Sequence, residues 1–117
     1  MLLDASTWRN LEITTTLRGE KKGSLLGILD KTITTMGGSL LLTHLAHPLL
    51  DADVLNQRLD QVESLVNDGI LRTRIRELLK YVPDLERMTN RILAGRATPR
   101  DMEGIRAALN VVPDLRQ

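Results

Sequence analysis

The chain has 117 residues, 42% of them apolar and 26% charged, with a formal net charge of +1. That is one domain's length of chain, too charged for a membrane span. The longest apolar stretch, Leu40–Leu42, is far short of the ~18 residues a spanning helix needs. There is no cysteine, which excludes disulfides, thiolate metal sites and cysteine nucleophiles. One Trp, one Tyr and no Phe argue against stacking platforms for single-stranded nucleic acid.

In chain order, Asp4 caps a short helical turn, after which Leu11–Ile13 and the following threonines favour extended chain. Residues 18–23 are polar with two glycines and read as a loop. Ser24 caps a helix over 24–32 with Leu25, Leu26, Ile28 and Leu29 on one face. Three threonines and two glycines then predict a break near 32–35. Thr34 or Thr35 caps the next helix, which runs to about residue 46 and ends before Pro48. Small Gly37 and Gly38 on its first turn are expected to admit a neighbouring backbone.

Asp51 caps the strongest helix, 52–68, in which Val54, Leu55, Leu59, Val62, Leu65 and Val66 repeat at three and four. Gly69 is expected to stop it in the left-handed conformation. A helix over 70–81 turns Ile70, Leu71, Ile75, Leu78 and Leu79 inward. Pro83 opens another over 84–94, with Leu85, Met88, Ile92 and Leu93 inward and Gly95 at its end. Thr98-Pro99-Arg100-Asp101 combines a cap, a proline at the first helical position and a returning carboxylate, as in a capping box. The last helix is expected to reach about residue 110 and meet Pro113. The fold class is therefore all-α: an antiparallel bundle of five to six helices with a short extended N-terminal segment and no internal repeat.

No catalytic, cofactor-binding or metal site is legible. Gly19 to Ser24 lacks the Gly-x4-Gly-Lys-Ser/Thr spacing of a phosphate-binding loop. His44 and His47, three apart, have no third ligand nearby and suit the negative end of a helix. The carboxylate pairs Glu77 with Asp84 and Asp101 with Glu103 have no nucleophile or base beside them. Charge is uneven. Over 51–68, Asp51, Asp53, Asp60, Glu63 and Asp68 face one base, Arg58, whereas bases prevail over 70–100. Complementary solvated faces explain this most simply. The sharper reading is non-specific phosphate contact through Arg72, Arg74, Arg76 and Lys80.

Three segments, in order, resemble the start of the core domain of the MutS family. They are Leu3-Asp4-Ala5-Ser6-Thr7-Trp8-Arg9-Asn10-Leu11-Glu12-Ile13; Ser24-Leu25-Leu26-x-Ile28-Leu29-Asp30-x-Thr32-x-Thr34-x-Met36-Gly37 with Leu41, Leu45, Pro48 and Leu49; and Pro83-Asp84-Leu85-Glu86-Arg87 through Arg91 to Gly95-Arg96-Ala97-x-Pro99-Arg100-Asp101. The chain departs from the family at Ser39, Leu42, Thr43 and His44, where the family carries bases and a tryptophan.

The resemblance implies that residues 1–117 are the leading part of a core (lever) domain, with mismatch-binding, connector, clamp and ATPase domains elsewhere in a longer cytoplasmic protein. It implies helices that pass nucleotide state to a clamp embracing DNA. ATP and magnesium are expected only in the ATPase domain, and the partners are DNA and the other domains. An independent helical adaptor is the alternative, and a stand-alone DNA-backbone binder using 70–100 is a third. A fragment leaves faces bare, so weak self-association is expected through Leu2, Leu3, Leu11, Ile13 and Leu40–Leu42.

Overall fold

A computed structural model describes residues 4–115; the expectations for Leu2 and Leu3 lie outside the described residues. Seven helices follow one another: α1 (Ala5–Asn10), α2 (Leu25–Leu29), α3 (Thr35–Ala46), α4 (Ala52–Asn67), α5 (Gly69–Leu79), α6 (Leu85–Leu93) and α7 (Pro99–Leu115). No strand occurs among the described residues, so the chain is all-α. It divides into two compact units, residues 1–32 with 37–63 and residues 33–36 with 64–117.

In the first unit Asp4 precedes α1 and accepts from the Thr7 N–H at 2.7 Å. Residues 11–17 form turns and bends rather than extended chain. The reason is local. The first N–H groups of a helix have no partner inside it, and here those of Leu25 and Leu26 donate to the carbonyls of Glu12 and Ile13 at 3.0 and 2.8 Å. Bringing that strip onto the start of α2 needs sharp turns. Glu12 takes φ 48°, Gly19 81° and Gly23 96°. The Glu12 carboxylate accepts from the Leu17 N–H at 2.7 Å, closing the strip on itself.

Ser24 is the pivot of this unit. Its side chain is fully buried and its Oγ accepts from the Gly27 N–H at 3.1 Å, capping α2. The same hydroxyl lies 2.7 Å from the Lys21 carbonyl and 3.1 Å from the Thr14 carbonyl, to which it donates. α2 ends at Leu29, shorter than periodicity predicts, because Asp30 turns its carboxylate on the local backbone. It accepts from the Thr32 N–H at 3.2 Å and the Thr32 hydroxyl at 2.7 Å. It also accepts from Lys21 Nζ at 2.5 Å. Close backbone approach occurs at Gly27. A Cβ there would overlap the Lys21 carbonyl oxygen and stand 3.1 Å from the carbonyl carbon. At Gly38 the neighbour is instead the Thr32 hydroxyl, a side chain, 3.3 Å from where a Cβ would be.

In the second unit Asp68, not Gly69, marks the junction between helices. Asp68 accepts from the Leu71 N–H at 2.8 Å as the N-cap of α5, and Gly69 is the first helical residue, without positive φ. A side-chain cap satisfies free donors that a glycine stop would leave open, which is why the expected left-handed Gly69 does not form. The Tyr81 and Val82 N–H groups close a tight turn onto the Leu78 and Leu79 carbonyls. Asp84 then caps α6 through the Arg87 N–H at 2.9 Å. α6 ends on Gly95 at φ 67°. The Gly95 N–H donates to the Ile92 carbonyl and the Arg96 N–H to the Arg91 carbonyl, a Schellman closure.

α7 packs on α6 and α5. Ala108 is 2% exposed, and Gly104 sits where a Cβ would come 2.7 Å from Met88 Cε and 3.7 Å from Pro83 Cγ. α7 does not stop near residue 110 but carries Pro113 inside it. Proline forfeits one N–H bond, and this close to the helix end little of the ladder is left to disturb.

Among the described residues the buried apolar core is small: Leu26 and Ala108. The stripe on α4 expected to point inward is exposed at Val54, Leu55, Leu59, Val62 and Val66. Ile70, Leu71 and Leu93 are likewise exposed rather than inward, while Ile75, Leu78, Leu79, Leu85, Met88 and Ile92 are half-buried. Periodicity marks which face of a helix is apolar; it does not say whether the covering helix lies within the same 117 residues.

Candidate functional site

The four cations singled out for phosphate contact all lie on or next to α5, but the fold does not deliver them as one patch. At about 100° per residue, Arg72, Arg76 and Lys80 share a side, whereas Arg74 is about 200° round from Arg72. Arg72 is committed to the backbone. One of its guanidinium nitrogens donates to the Leu65 carbonyl at 2.7 Å and the Val66 carbonyl at 3.0 Å. These carbonyls belong to the last turn of α4, where no intrahelical donor remains, and a cation there also suits the helix dipole. Lys80 donates to both oxygens of Glu77, at 2.7 and 2.8 Å. Arg74 is exposed.

A second set of arginines, counted in the basic excess of 70–100 but not among the four phosphate candidates, gathers around α6. Arg87, Arg91 and Arg96, with Asp84, Glu86 and Asn90, line an open depression of about 340 Å³. Their sequence signal was the spacing of Arg87 and Arg91, one helical turn apart. Beside this depression stands the start of α7. Thr98 donates its N–H and its hydroxyl to one Asp101 oxygen, both at 2.7 Å. The Asp101 N–H returns a bond to the Thr98 hydroxyl at 3.3 Å. The other Asp101 oxygen lies 3.3 Å from an Arg91 guanidinium nitrogen. The capping carboxylate thereby also ties α6 to α7.

The Thr98 hydroxyl and N–H hold the Asp101 carboxyl below its ordinary value; burial opposes them, and the charges of Arg91 and Arg87 assist. With Asp84, Glu86 and Asp101 against three guanidinium groups, the charges of this junction balance. It is built to join helices and has no excess of positive charge for an anion.

Two other polar clusters are of the same kind. Asp51 accepts from the Asp53 and Val54 N–H groups at 3.0 and 3.2 Å, starting α4. Lys21, through its hydrogen bond, pulls the Asp30 carboxyl down to about 2, helped by Thr32. The glycine-bearing loop at 18–24 does not fit a nucleotide. Lys21 is held by Asp30, and the Ser24 hydroxyl is occupied inside the helix cap, so neither is offered to a phosphate or a magnesium ion. His44 is half-buried and His47 exposed near the end of α3. Among the described residues no three His, Asp or Glu side chains gather as metal ligands. No helix among them is long and apolar enough to cross a membrane.

Comparison with known proteins gives these elements a context. A family model described as MutS domain III matches residues 6–117. The chain is 48% identical over 118 aligned residues to the DNA mismatch repair protein MutS of Alkaliphilus oremlandii, covering 100% of this chain and 13% of that protein. It is 49% identical over 117 residues to the protein of the same name from Roseiflexus castenholzii, covering 98% of this chain and 11% of the relative. To that of Zymomonas mobilis it is 46% identical over 110 residues, 94% of this chain and 13% of the relative. The chain thus spans about an eighth of the length of the relatives it matches.

Proposed function

The chain belongs to the MutS domain III family, and on that premise we propose that it is the leading part of the helical core of a DNA mismatch repair protein, coupling the nucleotide state of a distant ATPase domain to a clamp on DNA. The observation that carries this reading is the family match over residues 6–117, on a chain whose Arg72 and Thr98–Asp101–Arg91 clusters cap and join helices. Such joints suit a lever. Arg72 fastens α5 to the end of α4, and Asp101 with Arg91 fastens α7 to α6. Rigid helices with fixed joints can bias a two-state assembly without touching its ligands.

The chain itself is not an enzyme and takes no cofactor in this reading. ATP and magnesium belong to the longer protein's ATPase domain, and the location is cytoplasmic. Any phosphate contact made by the isolated chain falls to exposed Arg74, because Arg72 and Lys80 are otherwise engaged. That contact should be salt-sensitive, indifferent to mismatches and weak, with a Kd on the order of 10⁻⁴ M at physiological salt.

The test uses the longer protein that carries this segment. Arg72→Ala loosens the α4–α5 joint, and Gln57→Pro, in the interior of α4, breaks that helix. Both should leave mismatch binding and basal ATP hydrolysis in place while slowing ATP-triggered release from a mismatched duplex. Release at the unaltered rate in both variants would remove the coupling role.

A further inference from the structure

We infer that the Met88 thioether is an oxidation-sensitive contact between α6 and α7: peroxide turns it into a sulfoxide and parts the two helices at that point, and reduction closes them again. The inference goes beyond the coupling role and does not depend on it. All the residues it uses lie in the second unit.

α6 and α7 pack along an antiparallel seam with two adjacent rungs. Arg91 on α6 stands 3.3 Å from Asp101 at the start of α7. Three residues back on α6 is Met88, and three residues forward on α7 is Gly104. Met88 Sδ lies 2.9 Å and Met88 Cε 2.7 Å from where a Gly104 Cβ would be. Positions three or four apart share a side of a helix, so both rungs lie on one face of each. Ala108, 2% exposed, continues that face along α7. Glycine weakens a helix interior; here it leaves a notch that the thioether fills. Pro83 Cγ, at 3.7 Å, also borders that position, so the notch is apolar.

A thioether fits such a place because it is soft and apolar, whereas a sulfoxide is polar. The oxidant is hydrogen peroxide. A sulfur lone pair attacks one peroxide oxygen, and the S–O bond forms as the O–O bond breaks. The departing hydroxide takes the proton from the sulfur-bound oxygen and leaves as water. Sulfur loses two electrons and the peroxide gains them. Met88 is half-buried rather than sealed in, which leaves so small an oxidant a path to it. The new oxygen is a polar group in an apolar notch, and a buried polar group without a partner is destabilising. The side chain therefore swings out and the notch empties. Met102, on α7 and 56% exposed, is the internal comparison.

The experiment treats the full chain with graded hydrogen peroxide, stops the reaction with catalase, and reads each methionine by peptide mapping and α6 and α7 by amide hydrogen exchange. Met102 should oxidise first, with exchange in α6 and α7 unchanged. As Met88 oxidises, exchange in the turns around Met88 and Gly104 should quicken at least several-fold. A thiol-dependent sulfoxide reductase, which removes the oxygen as water while two thiols become a disulfide, should restore the slow rate. Met88→Leu, close to methionine in volume, should exchange slowly before and after peroxide. Should Met88→Leu itself loosen the seam, Met102→Leu decides: its exchange must rise in step with Met88 sulfoxide, and a rise out of step overturns the proposal. So does Met88 sulfoxide with unchanged exchange, or quickening by peroxide that survives in Met88→Leu. Met88 left intact where Met102 is fully converted overturns it as well. No readout involves repair or ATP, so failure here leaves the coupling role untouched.

Discussion

Gly27 and Thr98 each act through a single group, and each can be tested by a single substitution. Gly27 lets α2 lie directly on the Lys21 carbonyl. Gly27→Val must push backbone away from backbone, because no flexible side chain is there to yield. Loss of about 1–3 kcal/mol is expected from overpacking of this kind, read as a lower urea midpoint by circular dichroism; an unchanged midpoint would mean that the Lys21 turn does not lie against α2. Thr98→Ala removes the hydroxyl that both accepts from Asp101 N–H and donates to its carboxylate. The expected cost is about 1 kcal/mol; no change would detach Thr98 from the start of α7. Asp30 and Asp101 also set a pH dependence. Both carboxyls titrate lower in the folded chain than the ordinary aspartate value, Asp30 at about 2. A depressed folded value gives stability that is present above the unfolded value near 4 and lost as pH falls through the folded one. Stability should therefore drop between about pH 4 and pH 2, and Asp30→Asn should flatten part of that slope.

At the scale of elements, helix starts carry most of the order. Asp4, Ser24, Asp51, Asp68, Asp84 and Thr98 each turn a side-chain oxygen toward a free N–H of the first turn. The ends are more varied: Gly95 closes α6 by a left-handed turn, while the carbonyls at the end of α4 are met by Arg72. Gly95→Ala should lower the midpoint of the isolated chain by an amount equivalent to about 1 kcal/mol, because an L side chain resists φ of 67°. The same substitution at Gly69, helical in this structure, should be neutral or stabilising by helix propensity. Opposite signs at the two glycines are the expected outcome of parallel urea titrations. Destabilisation at both would restore a left-handed Gly69.

For the whole molecule, the small buried core limits what the isolated chain can do. With Leu26 and Ala108 the buried apolar side chains among the described residues and long apolar stripes in water, it gains little from burial. A shallow, low-midpoint urea transition is expected, with a slope below that of a compact domain of the same length. A sharp transition in the isolated chain would show that it forms a core of its own.

Much of this was written locally in the sequence. Helix class, the caps at Asp4, Ser24 and Asp51 and the paired Thr98 and Asp101 depend on residues within three or four positions of each other, so the chain's own spacing determined them. The family resemblance, too, lay in short phrases read in order. Tertiary structure decided what no local pattern encodes. Gly27, rather than Gly38, is the point of close backbone approach, because the Lys21 carbonyl reaches it through a turn that depends on Gly19 and Gly23. Arg72 is drawn from a basic row to the end of the preceding helix because open carbonyls stand there. The stripe of α4 is apolar by sequence but exposed at Val54, Leu55, Leu59, Val62 and Val66, since periodicity specifies a face while burial depends on what packs against it.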